Sequence, residues 1–259
     1  MNALLRQFSE EQVAGFMLVL ARIAPLFLVA PLFSSKMIPA RVRGIAAVGL
    51  AVGIAPLAMK GEHVPLDIMS LGALAVKELL VGLAFAFAIA ALFAAVTAAG
   101  SLADTLIGFS FGALVDPITG NNASVLSQAY SLVGVAIFIA IGGDSWVIRG
   151  LNHTYDLVPL ADYPALGSMV AGVQQAFVGI FVAAVELAAP VLLAVIITDA
   201  AFGVVARVVP QLNVFQVGFP AKVTIGLLVI GVSLPFAAGW ISDELQRSVG
   251  AALQSLRVA

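Results

Sequence analysis

The length of its apolar runs constrains this chain most. Between Glu78 and Asp104 the sequence contains no charged residue, and the run from Met169 to Ala201 contains only two, Glu186 and Asp199. A transmembrane helix needs about 20 predominantly apolar residues, so both runs are long enough to cross a bilayer. Because lipid cannot satisfy free backbone N–H and C=O groups, we expect such runs to be helical. The sequence therefore predicts an all-α membrane protein with about six long, bent hydrophobic helices arranged in hairpins.

The composition excludes several classes of protein. Charged residues make up 10% of the chain and hydrophobic residues 62%, whereas about 25% of a soluble domain is charged. The net charge is −2 and there is no basic tail, so we expect no nucleic-acid partner. The chain contains no cysteine, which excludes disulfides and Cys-ligated zinc. Metal, nucleotide and dinucleotide motifs are also missing from the sequence, so we expect no cofactor and no metal.

A small set of charged or helix-bending residues interrupts the apolar runs. These residues are Arg22, Lys77, Glu78, Glu186, Pro190 and Asp199. Charged groups at membrane depth usually face the protein interior and pair with one another. We therefore expect Arg22, Glu186 and one of Lys77 and Glu78 to be buried in ion pairs or hydrogen bonds between helices. Because Lys77 and Glu78 are adjacent, they are expected to point to different faces of their helix.

Two further patterns concern helix packing and the membrane interface. Glycine and alanine are dense from Gly82 to Ala95, which predicts close packing against other helices. The aromatic residues Trp146, Tyr155 and Tyr163 fall in a mixed stretch and are typical of an interfacial belt.

The central segment, residues 100–122, differs from its apolar flanks. It reads GSLADTLIGFSFGALVDPITGNN, which is too rich in polar residues and glycine for a plain spanning helix and too apolar for a solvated linker. At membrane depth such a segment must be buried in protein or line an aqueous path. We interpret it as a re-entrant or pore-occupying loop whose apolar side chains form a dry constriction. The predicted plug residues are Gly108, Phe109, Ser110, Phe111, Gly112, Leu114, Val115, Asp116 and Pro117.

One motif near the end of the chain is specific. Residues 206–222 read ARVVPQLNVFQVGFPAK, which gives the pattern RxxPQxNVFxxGxPxK. Weaker matches accompany it in order along the chain: Arg22 with Pro25 and Phe27, Pro31, Lys77-Glu78, Asp116-Pro117, and Glu186 with Pro190. With these motifs the chain resembles the FliR family of flagellar biosynthetic proteins, which includes the matching component of virulence type III secretion systems.

The resemblance implies a position in an assembly. Members of this family are subunits of the type III export gate in the bacterial inner membrane, at the flagellar basal body. They assemble with FliP-type and FliQ-type subunits into a pore complex raised toward the periplasm, and an FlhB-type switch protein packs around its entrance. Unfolded export substrates pass through the pore, and no enzymatic activity is implied.

The resemblance also implies a division of the chain. Residues 1–124 would be a FliP-like half that includes the plug, and residues 125–259 a second half with a FliQ-like hairpin at about 169–241. The turn of that hairpin would lie at the cytoplasmic entrance. Its residues are Arg207, Pro210, Gln211, Asn213, Phe215, Gly218, Pro220 and Lys222.

Three other functions are considered. The equivalent virulence component would share this architecture. A small-solute transporter would use Arg22, Glu186 and Asp199 as coupling groups, although no internal repeat is evident.

The third alternative is an intramembrane serine hydrolase. Residues 108–112 match G-x-S-x-G around Ser110, with Asp116 or Asp144 and then His153 following in the chain order of a hydrolase triad. That motif requires a preceding strand, and the run before Ser110 is alanine-rich and predicted to be helical.

Overall fold

The chain folds as a series of α-helices in a computed structural model. The structure describes residues 9–34, 38–109, 124–211 and 213–256, without the side chains of 214 and 215. The helices are α1 (Glu10–Val29), α2 (Ala40–Ala58), α3 (Ile68–Ile107), α4 (Val125–Ala140), α5 (Gly143–Leu157), α6 (Leu166–Val208), α7 (Val214–Val232) and α8 (Leu234–Ser255). The predicted all-α membrane fold is confirmed.

By length and composition, α1, α2, α3 and α6 can each cross a membrane. The helix pairs α4–α5 and α7–α8 pass the same test when each pair is taken as one bent span, so the described chain has four to six candidate spans.

Side-chain caps mark where several helices begin. Ser9 and Gln12 form a capping box at α1, and the side chains of Ser124 and Asn213 accept the N–H groups of Ser127 and Gln216 in the first turns of α4 and α7. At the start of α3, Asp67 accepts the N–H of Ser70 at 2.9 Å. This hydrogen bond holds the pKa of the Asp67 carboxyl below its usual value.

Glycine and proline account for the bends. Gly142, at φ +69°, separates α4 from α5. Pro235 follows the break between α7 and α8, which meet at 55°. Pro190 lies within the 43-residue α6. The bend between α7 and α8 agrees with the expectation of bent helices.

Two predicted boundaries were wrong. The central segment was expected to leave the helix at Gly100, but α3 continues to Ile107. The hydroxyls of Ser101 and Thr105 donate to carbonyls one turn earlier, so these polar residues are accommodated within the helix. The turn predicted from Arg207 to Lys222 is also much shorter, because α6 extends to Val208 and Asn213 caps α7 directly.

The described residues form two packing units. The first contains those within Met1–Ala91, Gly142–Phe177 and Leu245–Ala259, and the second those within Leu92–Ile141 and Val178–Glu244. In the first unit, Val81, Val158, Met169 and Leu256 form a buried cluster. In the second unit, Val96, Ala184, Leu187 and Ile241 belong to one cluster, and Ile107, Leu126, Val191 and Val195 belong to another.

These packing units interleave segments from the whole chain. Packing does not test the predicted division into a FliP-like half, residues 1–124, and a second half, residues 125–259. This division stays a prediction.

Close helix contacts in each unit occur at glycines. A Cβ on Gly82 of α3 would lie 2.1 Å from the carbonyl oxygen of Arg22 in α1. In the second unit, a Cβ on Gly100 would lie 2.7 Å from the carbonyl oxygen of Leu126, and one on Gly134 would lie 2.8 Å from Val96. The predicted close packing along α3 is therefore present, and it depends on these small residues.

Candidate functional site

Three charged side chains form a buried cluster in the first unit. Arg22 of α1 and Glu78 of α3 are fully buried, and Lys77 is 5% exposed. The guanidinium of Arg22 grips the Glu78 carboxylate with two donors, Nε to Oε2 and Nη2 to Oε1, the second at 2.8 Å. The Lys77 ammonium lies 2.5 Å from the same Oε1. One carboxylate is thus shared by two cations away from solvent.

The remaining donors bind the end of α5 and the residues after it. Arg22 Nη1 donates to the carbonyl oxygen of Thr154 at 2.9 Å, and Nη2 donates to that of Val158 at 2.8 Å. Lys77 Nζ donates to the carbonyl oxygens of Pro159 and Leu160 at 3.1 and 2.9 Å. The carbonyls at a helix C-terminus carry partial negative charge, so the Arg22 guanidinium is well placed there.

Tyr155 completes the cluster. The Arg22 guanidinium lies 4.2 Å from the centre of the Tyr155 ring, and the Tyr155 hydroxyl donates to the carbonyl oxygen of Val19 at 3.2 Å. Tyr155 is 6% exposed, so its assignment to an interfacial aromatic belt was wrong. Trp146 and Tyr163 are exposed.

The cluster satisfies every donor of both cations. All five guanidinium N–H groups and all three ammonium N–H groups have acceptors, because the Thr154 hydroxyl accepts a further bond from Nη1 at 3.3 Å. A buried charge without partners is costly, whereas a fully hydrogen-bonded set is tolerated. The arrangement fastens α1, α3 and the end of α5 together.

Two expectations about these charges change. Lys77 and Glu78 were expected on different faces, yet they contact each other, because the lysine stem is long enough to bring its ammonium round to the carboxylate. Glu186 was expected to face the interior, but it lies on the exposed side of α6, where its Oε2 accepts the indole N–H of Trp240 at 3.2 Å. The alternating burial along α6 places Leu187 and Ala188 in the core instead.

The α6–α7 hairpin has its own ion pair. Lys222 Nζ lies 2.9 Å from both carboxylate oxygens of Asp199. A Cβ on Gly218 would lie 3.7 Å from the ring of Phe202, an ordinary van der Waals contact, so the two helices face each other near the turn.

The predicted entrance residues spread over this hairpin. Arg207 is in the last turn of α6, Pro210 and Gln211 are exposed in the connection, and Pro220 is within α7. The side chain of Phe215 lies outside the described residues.

Only the start of the predicted plug can be described. Gly108 adopts φ +102°, and Phe109 is partly buried against a cluster that contains Ile107 and Leu126. Asp104 accepts the N–H of Leu126 at 3.1 Å, so described residues before and after 110–123 lie together. Ser110, Phe111, Gly112, Leu114, Val115, Asp116 and Pro117 lie outside the described residues.

The local geometry does not favour the hydrolase alternative. Residues 68–107 before the G-x-S-x-G match form a helix, whereas a nucleophile elbow follows a strand. His153 is exposed and pairs with Asp156 at 3.0 Å, and Asp156 follows it in the chain. Among the described residues no group of three or more acidic or histidine side chains could hold a metal ion.

Comparison with known families identifies the chain. The family described as "Bacterial export proteins, family 1" matches residues 13–248. The chain belongs to this family.

Two kinds of name occur among the curated proteins that this family-1 export protein is similar to. The flagellar biosynthetic protein FliR of Escherichia coli (strain K12) is 30% identical over 219 residues, which cover 85% of this chain and 84% of the relative. FliR of Bacillus subtilis (strain 168) is 30% identical over 85% of this chain and 86% of its own. The surface presentation of antigens protein SpaR of Shigella sonnei is 26% identical over 82% of each chain.

Sequence reasoning missed three residues at these sites in the export protein. Thr154 and Tyr155 contact Arg22, and Asp104 binds the start of α4. Asp104 is an acidic residue next to an apolar run. It did not stand out because it is one of several polar residues in the central segment. Thr154 acts partly through its backbone carbonyl, for which the sequence carries no signal.

Proposed function

We propose that this chain is a core, non-enzymatic subunit of the flagellar type III protein-export gate. The supporting observation is its family membership over residues 13–248, with FliR relatives of E. coli and B. subtilis aligned over more than four-fifths of their lengths. The flagellar system is preferred to the virulence system because these FliR proteins are 30% identical to the chain and SpaR is 26% identical.

The channel role extends this proposal. The chain forms part of the channel wall in the bacterial inner membrane, at the flagellar basal body, in a complex raised toward the periplasm. Its helices are apolar enough to span a membrane, yet the chain itself buries only 22% of the 18-residue apolar stretch of α2 and 33% of that of α6. Such surfaces suit a protein that packs against homologous membrane subunits.

The partners are FliP-type and FliQ-type subunits, with an FlhB-type switch protein near the entrance. The α6–α7 hairpin, joined by the Asp199–Lys222 pair, supports a FliQ-like unit within residues 169–241. The central segment supplies the plug through Gly108 to Pro117. Support for a loop there comes from the Asp104–Leu126 contact, which joins residues on either side of 110–123.

Co-purification tests the proposed function. A tagged copy is expressed with its FliP-type and FliQ-type partners, and the mass of the detergent-solubilised complex is measured. We expect a stable hetero-oligomer that contains one copy of this chain. A monomer or a plain homodimer that does not respond to those partners contradicts the proposal and favours the transporter alternative.

A further inference from the structure

One face of α6 combines a carboxylate with an otherwise apolar surface. Val182, Glu186, Leu193 and Ile197 recur at helical spacing and share this face, which we name the Glu186 stripe. The three apolar side chains are between 56% and 67% exposed, and Glu186 is also exposed. Opposite them, Ala184, Leu187, Ala188 and Val191 are buried in the second unit.

The carboxylate of Glu186 has only a neutral partner in the described chain. Trp240 Nε1 donates to Oε2 at 3.2 Å, and the ion pairs among the described residues do not include Glu186. The two other charged residues of α6 lie elsewhere: Asp199 pairs with Lys222, and Arg207 is in the last turn. Trp240 therefore holds a negative charge in place in the middle of an apolar stripe.

A carboxylate in this position is unfavourable against lipid. Acidic groups in spanning helices normally meet a cation or water. A water-filled path would favour polar neighbours, whereas the residues of this face nearest to Glu186 are apolar: Gly179 and Val182 before it, and Leu193 and Ile197 after it. Gly179 on the same face has open space around it, which allows another helix to approach closely.

We propose that the Glu186 stripe is a docking surface for an apolar helix of a partner membrane protein that carries one lysine or arginine at the depth of Glu186. The apolar side chains supply the contact area, and the carboxylate fixes the register of the partner helix through its cation. This inference rests on the proposed function, because the partner belongs to the same membrane assembly.

The first step of the test is charge substitution. The wild-type chain, Glu186→Gln and Glu186→Lys are each co-expressed with the FliP-type and FliQ-type subunits, and the partner recovered with the tagged chain is quantified. We expect more than tenfold less of one partner with Glu186→Lys and a severalfold loss with Glu186→Gln. Glu10→Lys, an exposed carboxylate at the start of α1, is the matched control and is expected to recover partners as the wild type does.

The second step identifies the occupant. A photoactivatable amino acid at Val182 or Leu193 is expected to cross-link to a helix of that same partner. Changing the lysine or arginine of the cross-linked helix to glutamate is then expected to restore the complex with Glu186→Lys. If Glu186→Lys does not accumulate as a folded chain, the proposal is tested by Glu186→Gln, which preserves the shape of the side chain, and by the two cross-linking positions.

Several results overturn the proposal. One is that both Glu186 variants recover partners as well as the wild type does. Another is that the cross-links form only to lipid or to a second copy of this chain. The third is that the charge reversal does not restore binding. If the wild-type chain recovers neither partner, the proposed function itself fails. An intact wild-type complex that is insensitive to Glu186 contradicts only the docking surface.

Discussion

At the scale of single residues, Arg22 connects the most parts of the first unit. Its guanidinium binds a side chain of α3 and two carbonyls at the end of α5, and it stacks over Tyr155. A lysine could not make the same contacts, because a planar guanidinium presents five fixed donors. The cluster therefore specifies how three elements meet, beyond any contribution to stability.

Removing Glu78 is expected to leave two buried cations, Arg22 and Lys77, without a carboxylate. We expect Glu78→Met to cost about 3–5 kcal/mol of stability, and Arg22→Met to cost less, because Lys77 still pairs with Glu78. The double substitution is expected to cost less than the sum of the two, because Arg22 and Glu78 are direct partners. Thermal unfolding of the detergent-solubilised chain measures both effects.

Glu10→Gln is the control for this experiment, since Glu10 is exposed at the start of α1. If the single substitutions at Arg22 and Glu78 behaved as this control does, the buried pair would have no structural role.

At the scale of elements, α3 is organised by the spacing of Glu78 and Gly82. Residues four apart share a helix face, so the carboxylate that binds Arg22 and the glycine that contacts its backbone both face α1. The absence of a side chain at Gly82 permits the close approach that lets the buried ion pair form. The charge of Glu78 and the small size of Gly82 thus act together where α3 packs against α1.

Two glycines of α3 provide a matched comparison. Gly82→Ala places a methyl group 2.1 Å from the Arg22 carbonyl oxygen, so we expect overpacking to cost about 1–3 kcal/mol. Gly72→Ala has nothing within 4 Å and is expected to be neutral or to stabilise the helix by up to about 1 kcal/mol. Thermal unfolding of the two variants checks the difference. Equal effects at both positions would show that the close approach is unimportant.

At the scale of the whole molecule, the main feature is how much apolar surface the chain leaves uncovered on its spanning helices. On α2, Ile45 is 72% exposed and Leu57 is 65% exposed, and α6 carries the Glu186 stripe. Lipid can cover the purely apolar part of this surface, whereas the carboxylate needs a cation or water. An assembly of several membrane subunits accounts for both the uncovered apolar surface and the exposed carboxylate.

The plug proposal is tested at this scale. Phe109→Ala with Phe111→Ala is expected to make the assembled pore leak small ions, because two apolar rings are removed from the proposed constriction. Single-channel conductance and growth of the expressing cells are the measurements. Phe219→Ala with Phe236→Ala removes two rings that are both exposed, and this variant is expected not to leak. Unchanged conductance and growth with the first pair would refute the gasket role.

The sequence by itself determined the class of this protein, since long apolar runs in a chain with few charges can satisfy their backbone only as membrane helices. It also identified Arg22, Lys77 and Glu78, because charges are conspicuous in such runs. The specific motif over residues 206–222 was sufficient for the family resemblance, and the comparison over residues 13–248 shows the family.

Only the tertiary structure decided which charges meet and which side of a helix is covered. Arg22 and Glu78 are 56 residues apart, and their pairing depends on a glycine on the next turn of α3. Glu186 has the same apolar surroundings in the sequence as Arg22, yet it lies on the outer face of α6. The physical reason is that hydrophobicity fixes depth in a membrane, while contact with neighbouring helices fixes rotation about the helix axis.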